Sequence, residues 1–399
     1  MASRYKKTLE KEKQERKLRA IYVASYIPRK CGIATFTKDL TNAINVLNPY
    51  NFSEIMAVND NSYDYPWEVK FRIAQDDLKT YISAAEYINN SSAEIVCLQH
   101  EFGIYGGRFG EYVIPFLEHI KKPVVTTLHT SPEKPLDVQK DIIRRISNLS
   151  AVVVTMVDSI VERLIQTYKV DKRKIIVIPH GVPDIPFGGA EHFKKLLRLR
   201  NKFVLSSINL ISPNKGLEYA IEAIPYIVKK IPNFVYLIVG VTHPVVKKKY
   251  GEEYRNSLKK LIRKLGVSKH VEFVNDYLSL EDLLNYLRAS DIYITPYLDP
   301  QQVASGTLSY AVGAGKSCIS TPYIYAQEVL GSERGILVPF RDSKAISKSI
   351  LGLHSESKSR YQMERKAYDY GRIMTWPSVA LQYLDLFTLV LRKAKVQAK

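Results

Sequence analysis

Short, uninterrupted apolar runs recur along this chain, each followed by a stretch with helical periodicity, and this alternation restricts the fold more than any other feature. One series comprises AIYVASYI (20–27), EIMAVN (54–59), EIVCLQH (94–100), PVVTTLH (123–129), AVVVTM (151–156) and KIIVIPH (174–180). A second comprises FVLSSINLI (203–211), FVYLIVG (234–240), VEFVNDY (271–277), DIYITP (291–296) and CIST (318–321). Strands that are apolar on both faces need cover on both faces, and strand-helix alternation supplies it through parallel crossovers. The expected class is α/β, with two doubly wound, Rossmann-like domains, since 399 residues exceed one domain at roughly 100 to 200 residues each. GVPDIPFGG (181–189), rich in Gly and Pro, marks the expected boundary. The expected organisation is a charged tail over 1–17, an N-terminal domain over 18–188, a C-terminal domain over 189–372, and a last helix with a basic tail over 373–399. WPSVALQYLDLFTLVLRKAKV, at the end of the chain, is too apolar for a tail and must pack against something.

Composition removes several function classes. Hydrophobic residues at 46% and charged residues at 25% build a core and exclude global disorder. No apolar run approaches the roughly 18 residues of a membrane span, and the N-terminus is charged, so a cytoplasmic location is expected. Cys31, Cys97 and Cys318 are far apart and odd in number, and read as reduced thiols. A net charge of +18 favours polyanions, yet the basic residues are scattered among both tails, FKKLLRLRNK (193–202) and Lys247 to Lys249. None of these blocks carries a nucleic-acid-binding signature, so no nucleic-acid partner is expected; peripheral contact with an anionic membrane is retained as an accessory feature.

The candidate chemistry sits where strands end. After DIYITP, a loop leads to a helix opening at Ser305, Gly306 and Thr307 and ending near Gly313 and Gly315. Unpaired amides at such a helix start attract anions, although an ordinary βαβ unit with nothing bound has the same spacing. Lys215 in SPNKG stands just ahead of the next helix, where a lysine either neutralises a phosphate or is simply solvated. Gly32, between the first strand and its helix, either admits a ligand or makes a tight turn. His100 and His129 end strands at the carboxyl edge, as ligand contacts or as hydrogen-bonded structural groups. No second ligand stands at zinc-like spacing, and no metal is expected.

Several of these pieces agree in order and spacing with one family. The turn over Pro28 to Leu40, LHT at 128–130, IPHGV at 178–182, SPNKG at 212–216 and YAVGAGKSCIST at 310–321 resemble the retaining glycosyltransferases of family four, the group-one glycosyltransferases of GT-B fold. The resemblance covers nearly all of residues 18 to 390 and implies two domains facing across a cleft, with the last helix crossing back to the N-domain. It implies transfer of a hexose from a nucleotide sugar such as UDP- or GDP-hexose to a hydroxyl of a carbohydrate or glycolipid acceptor, with no cofactor and no metal. Gly32 would then lie beside donor and acceptor, and His129 near the reacting carbon. Lys215 would bind the donor diphosphate, and amides at Gly306 and Thr307 its distal phosphate, with Ser305 among the donor-binding residues. Tyr277 would lie near the base, and His100 and Glu101 on the acceptor side.

The chain also departs from that family. Two glutamates eight residues apart are usual, one on the donor sugar and one on the ribose; here these positions are Gln302 and Tyr310. The arginine usual five residues before the lysine is Leu210, with Arg29, Lys30, Arg108 and His243 as substitutes. Two alternatives follow: a glycoside phosphorylase using inorganic phosphate on the same scaffold, or a non-catalytic binder of sugar or polyanion.

Overall fold

The computed structural model describes residues 18–50 and 52–397, so the tail read over 1–17 lies outside the described residues. The chain divides into two compact units, one running to Gly181 and resuming at Trp376, the other spanning Val182–Thr375.

The first unit is a parallel sheet of seven strands: β1 (Ala20–Ala24), β2 (Glu54–Asn59), β3 (Val69–Ala74), β4 (Ile95–His100), β5 (Val124–Leu128), β6 (Val152–Thr155) and β7 (Ile175–Val177). Their order is β3-β2-β1-β4-β5-β6-β7, so the winding reverses between β1 and β4. β1, β4 and β5 are buried throughout, as continuous apolar runs require. β3 was missed in the sequence because VKFRIA alternates Lys70 and Arg72 with apolar residues, the pattern of a half-covered edge. The helix Gly32–Leu47 follows β1, capped by Cys31, whose Sγ accepts from the Ala34 amide at 3.3 Å. The C-terminal helix Trp376–Gln397 packs on this same unit. Its Tyr383 hydroxyl pairs with Thr127 Oγ1 at 2.9 Å, and Phe387 lies against Tyr22.

The second unit has six parallel strands: β8 (Phe203–Ile208), β9 (Phe234–Val239), β10 (Val271–Val274), β11 (Ile292–Thr295), β12 (Ser317–Ser320) and β13 (Ile336–Leu337). The order β10-β9-β8-β11-β12-β13 reverses between β8 and β11. Fourth in this unit's chain order, β11 feeds the helix Gly306–Gly313, whose start and end agree with the sequence reading.

The division falls at Gly181 and Val182, ahead of the boundary expected at 188, and the return falls at Trp376 rather than 373. GVPDIPFGG is not a free linker: Asp184 binds Arg372 at 2.6 Å, the Ile185 carbonyl accepts from Tyr368 Oη at 3.1 Å, and Phe187 packs against Tyr368. Gly181 abuts the Trp376 indole, where a Cβ would stand 2.1 Å from a ring carbon, so only glycine fits.

The basic segment 193–202 is not a solvated block either. Lys194 is buried and bonded to Asp291 at 2.8 Å, while the Arg288 guanidinium covers the Phe193 ring at 4.1 Å. Among the described residues no helix is long and apolar enough to cross a membrane.

Candidate active site groups in each unit

Open α/β sheets hold ligands outside the carboxyl ends of their strands, where the winding reverses. In the second unit that place is formed by the segments after β8 and β11. The first contains Lys215, and the second Tyr297, Gln302 and Ser305. These segments are locked together: Leu298 N donates to Asn214 O at 2.9 Å, and Gly216 adopts φ +58 with its Cα against Pro296. A Cβ at Gly216 would stand 2.2 Å from the Pro296 carbonyl oxygen, so the close approach depends on glycine. The Lys215 ammonium is thereby set 3.8 Å from the centre of the Tyr297 ring. An aromatic face steadies a cation without neutralising it, which leaves the charge available to an anion.

The helix Gly306–Gly313 starts at the same edge. Ser305 occupies the N-cap with extended backbone, but its side chain makes no capping bond to the first turn. The amides of Gly306 and Thr307 therefore have no intrahelical acceptor and stand ready for one. Gln302 spends its amide nitrogen on the Ala304 carbonyl at 2.8 Å, leaving Oε1 as its accepting group. Tyr310 is buried within the helix, and Tyr277 is exposed beyond the outermost strand β10. The segments after β8 and β11 thus carry Lys215, Gln302, Ser305, Gly306 and Thr307 to the reversal point, while Tyr277 is on the segment after β10, a strand two places from β8.

Among the substitutes for the missing arginine, His243 is the one beside Lys215. Its backbone amide donates to Ile211 O at 2.9 Å, pinning it alongside the SPNKG loop. Its Nδ1 accepts from the Val245 amide at 3.2 Å, so the neutral ring carries its proton on Nε2 and can donate there. Burial first, and the nearby Lys215 charge second, hold its pKa below the usual histidine value. Arg29, by contrast, is occupied within its own unit by Val58 O at 3.1 Å, Gln75 Oε1 at 3.0 Å and Asp60 at 3.2 Å. Lys30 and Arg108 are exposed in that unit.

In the first unit the segments after β1, β4 and β5 bring Gly32, Glu101 and His129 to the carboxyl edge. Gly32 needs no glycine for its own fold: its φ is not positive, and an added Cβ would meet nothing within 4 Å. His129 is buried, hydrogen-bonded through Nε2 to Gln99 Oε1 at 2.9 Å and packed edge-on against Phe36. Burial, with His180 and His100 adding repulsion, lowers its pKa to about 3, so it acts as a neutral group. Glu101 accepts from the Thr130 hydroxyl, and burial raises its pKa. His100 is enclosed, stacked on Tyr105 with both ring nitrogens lacking partners, and burial lowers its pKa to about 3. Phe36, His180 and Trp376 complete an aromatic cluster under His129. Trp376 was invisible as a site neighbour because it is far from that cluster in sequence.

Two doubly wound parallel units, each reversing its winding at one point, make up the GT-B fold. The family described as Glycosyl transferases group 1 matches residues 189–370, and Glycosyltransferase Family 4 matches residues 70–184. The chain belongs to the group 1 glycosyltransferases of family four. A phosphatidyl-myo-inositol mannosyltransferase of Mycolicibacterium smegmatis is 22% identical over 280 residues, which is 69% of this chain and 67% of the relative. The sucrose-phosphate synthase of Thermosynechococcus elongatus superposes with TM-score 0.76 at 15% identity, over 94% of this chain and 100% of that one. A Rickettsia africae glycosyltransferase gives 0.74 at 18% identity, over 94% and 99%. HepE of Anabaena, solved in complex with UDP, gives 0.73 at 16% identity, over 93% and 100%.

Proposed function

We propose that this glycosyltransferase moves a hexosyl group from a nucleoside-diphosphate sugar to a hydroxyl of a carbohydrate or glycolipid acceptor, with retention and without a metal ion. The observation that carries the reading is the Lys215 ammonium fixed over Tyr297 beside the uncapped start of Gly306–Gly313. As the bond from the anomeric carbon to the diphosphate oxygen breaks, negative charge grows on the departing phosphate. Lys215, the Gly306 and Thr307 amides and His243 Nε2–H are donors set before the reaction begins, so they favour that charge over the ground state. The acceptor oxygen forms the new bond, and its proton leaves with the diphosphate. Support for a nucleotide sugar comes from HepE, whose solved complexes contain UDP and UDP-glucose.

On this reading His243 takes the part of the arginine replaced by Leu210, and Gln302 Oε1 meets a sugar hydroxyl. In the first unit, His129 offers a neutral hydrogen-bonding group and Gly32 an open backbone for the sugar and acceptor. Peripheral contact with an anionic membrane belongs to the same reading, supported by the net charge of +18.

A second reading, phosphorolysis, is favoured by one observation: Tyr310 is buried and no carboxylate stands in its place for a ribose diol. Product formation from UDP-glucose or GDP-mannose in the absence of added phosphate decides between them. Turnover that requires phosphate and ignores nucleotide would replace glycosyl transfer with phosphorolysis.

A further inference from the structure

We propose that one face of the first unit, formed by Val46, Tyr50, Phe52 and Trp67, docks on an anionic lipid bilayer. This deepens the membrane contact proposed above and rests on that part of the reading, independently of the transfer chemistry.

The face gathers exposed apolar side chains that lie singly elsewhere on the unit, as at Leu136 and Ile176. Val46 is 78% exposed, Tyr50 70%, Phe52 56% and Trp67 64%, whereas the chain's other tryptophan, Trp376, is 7% exposed. Scattered surface apolar residues are ordinary; a contiguous aromatic set is not. Phe52 and Trp67 meet edge to face with centroids 5.6 Å apart. Ser53 N donates to Asn45 Oδ1 at 2.8 Å, which ties the Phe52 segment to the end of the helix that carries Val46.

Its place in the fold is equally specific. Val46 stands in the last turn of the helix Gly32–Leu47, Phe52 leads into β2, and Trp67 leads into β3, so all stand at the amino edge of the sheet. Gly32, Glu101 and His129 stand at the opposite, carboxyl edge. Contact through this face leaves those residues uncovered.

Charge selects the occupant. Lys70 Nζ lies 5.0 Å over the Trp67 ring, pairing a cation with an aromatic ring as at a lipid headgroup boundary. The C-terminal helix starts with Trp376 against Phe36 and later sets Phe387 against Tyr22, so it runs toward the amino edge and carries Lys393 and Lys395 there. Chain outside the described residues also joins here: Leu18 O accepts from Asn48 Nδ2 at 2.9 Å, one residue past the Leu47 helix end. The sequence of residues 1–17 holds seven basic residues, Arg4, Lys6, Lys7, Lys11, Lys13, Arg16 and Lys17, and three acidic ones, Glu10, Glu12 and Glu15. Aromatic rings that seat at the headgroup boundary, with Lys70 over one of them and a basic segment of chain joining beside them, fit an anionic bilayer surface.

The test is co-sedimentation of the full chain with vesicles of phosphatidylcholine alone and of phosphatidylcholine with phosphatidylglycerol, read together with tryptophan emission. The expected result is binding to the phosphatidylglycerol vesicles, weakened by salt, with a blue shift of emission from Trp67. Phe52→Ala with Trp67→Ala should lower partitioning by about tenfold, as expected for two interfacial rings, with the melting temperature and turnover on a soluble acceptor unchanged. Trp67→Phe should keep most of the binding. No vesicle binding, binding that the double variant does not alter, or bound protein with unshifted emission would overturn the proposal. So would self-association through this face in place of vesicle binding. Vesicle binding without turnover on any donor would uphold this surface and remove the transfer reading.

Discussion

Lys215 and Tyr297 come from different crossovers, yet the ammonium of the first rests 3.8 Å from the ring centre of the second. The contact exists because Gly216, in the left-handed region, lets the loop after β8 lie against the Pro296 carbonyl. A flexible lysine becomes a fixed charge at the reversal point of the sheet. The functional reading depends on that fixation, since a donor already in place costs no reorganisation when charge develops.

Lys215→Ala should lower kcat/KM by roughly a hundredfold, about 2.7 kcal/mol of transition-state stabilisation, with a melting temperature within a degree or two of the parent. Steady-state kinetics beside a thermal melt checks both. Tyr297→Leu should give a smaller loss, because it frees the lysine without removing it.

Gly216→Ala acts on the same contact through the backbone. With φ at +58 and the Pro296 oxygen 2.2 Å from the new Cβ, the loop must move. The expected cost is about 1 to 3 kcal/mol of stability, together with a loss of activity approaching that of Lys215→Ala. Urea unfolding measured alongside turnover separates the two effects.

Gly32→Val is the complementary case. Nothing in the first unit opposes a side chain there, so stability should change by less than about 1 kcal/mol. Turnover should fall at least tenfold if sugar or acceptor approaches that backbone. Unchanged turnover would remove Gly32 from the site.

Three buried histidines set a pH dependence of stability. Burial lowers the pKa of His100 and His129 to about 3 and of His180 to about 4. The unfolded chain binds protons near pH 6.5 that the folded unit refuses, so stability should fall as pH drops below about 6.5. The fall continues toward pH 3 to 4, with each group contributing up to about 1.4 kcal/mol per pH unit. His100→Leu should flatten this fall by about a third and raise stability at pH 5, because both ring nitrogens of His100 are without partners. Urea midpoints between pH 4.5 and 7.5 measure it.

The parallel strands were legible because burial on both faces writes itself as unbroken apolar runs such as FVYLIV and IVCLQH. The start of Gly306–Gly313 and the packing demanded by the C-terminal helix were legible for the same reason. β3 was not, since an edge strand alternates, and neither was β13, whose two residues leave no period to read. In the site, Lys215 and the Gly306 amides could be read because strand ends point to the carboxyl edge. Partners that are long-range could not: Tyr297 under Lys215, Trp376 beside His180, and the commitment of Arg29 to Val58, Gln75 and Asp60 all depend on the folded chain. His243 stood among several candidates until its bond to Ile211 placed it next to Lys215.

The central claim is tested most directly by calorimetric titration of UDP, GDP and inorganic phosphate into the parent chain, Lys215→Ala and His243→Ala. A nucleoside diphosphate should bind the parent, with affinity reduced about tenfold or more in each variant. Binding of inorganic phosphate alone, or nucleotide affinity that both variants leave unchanged, would contradict it.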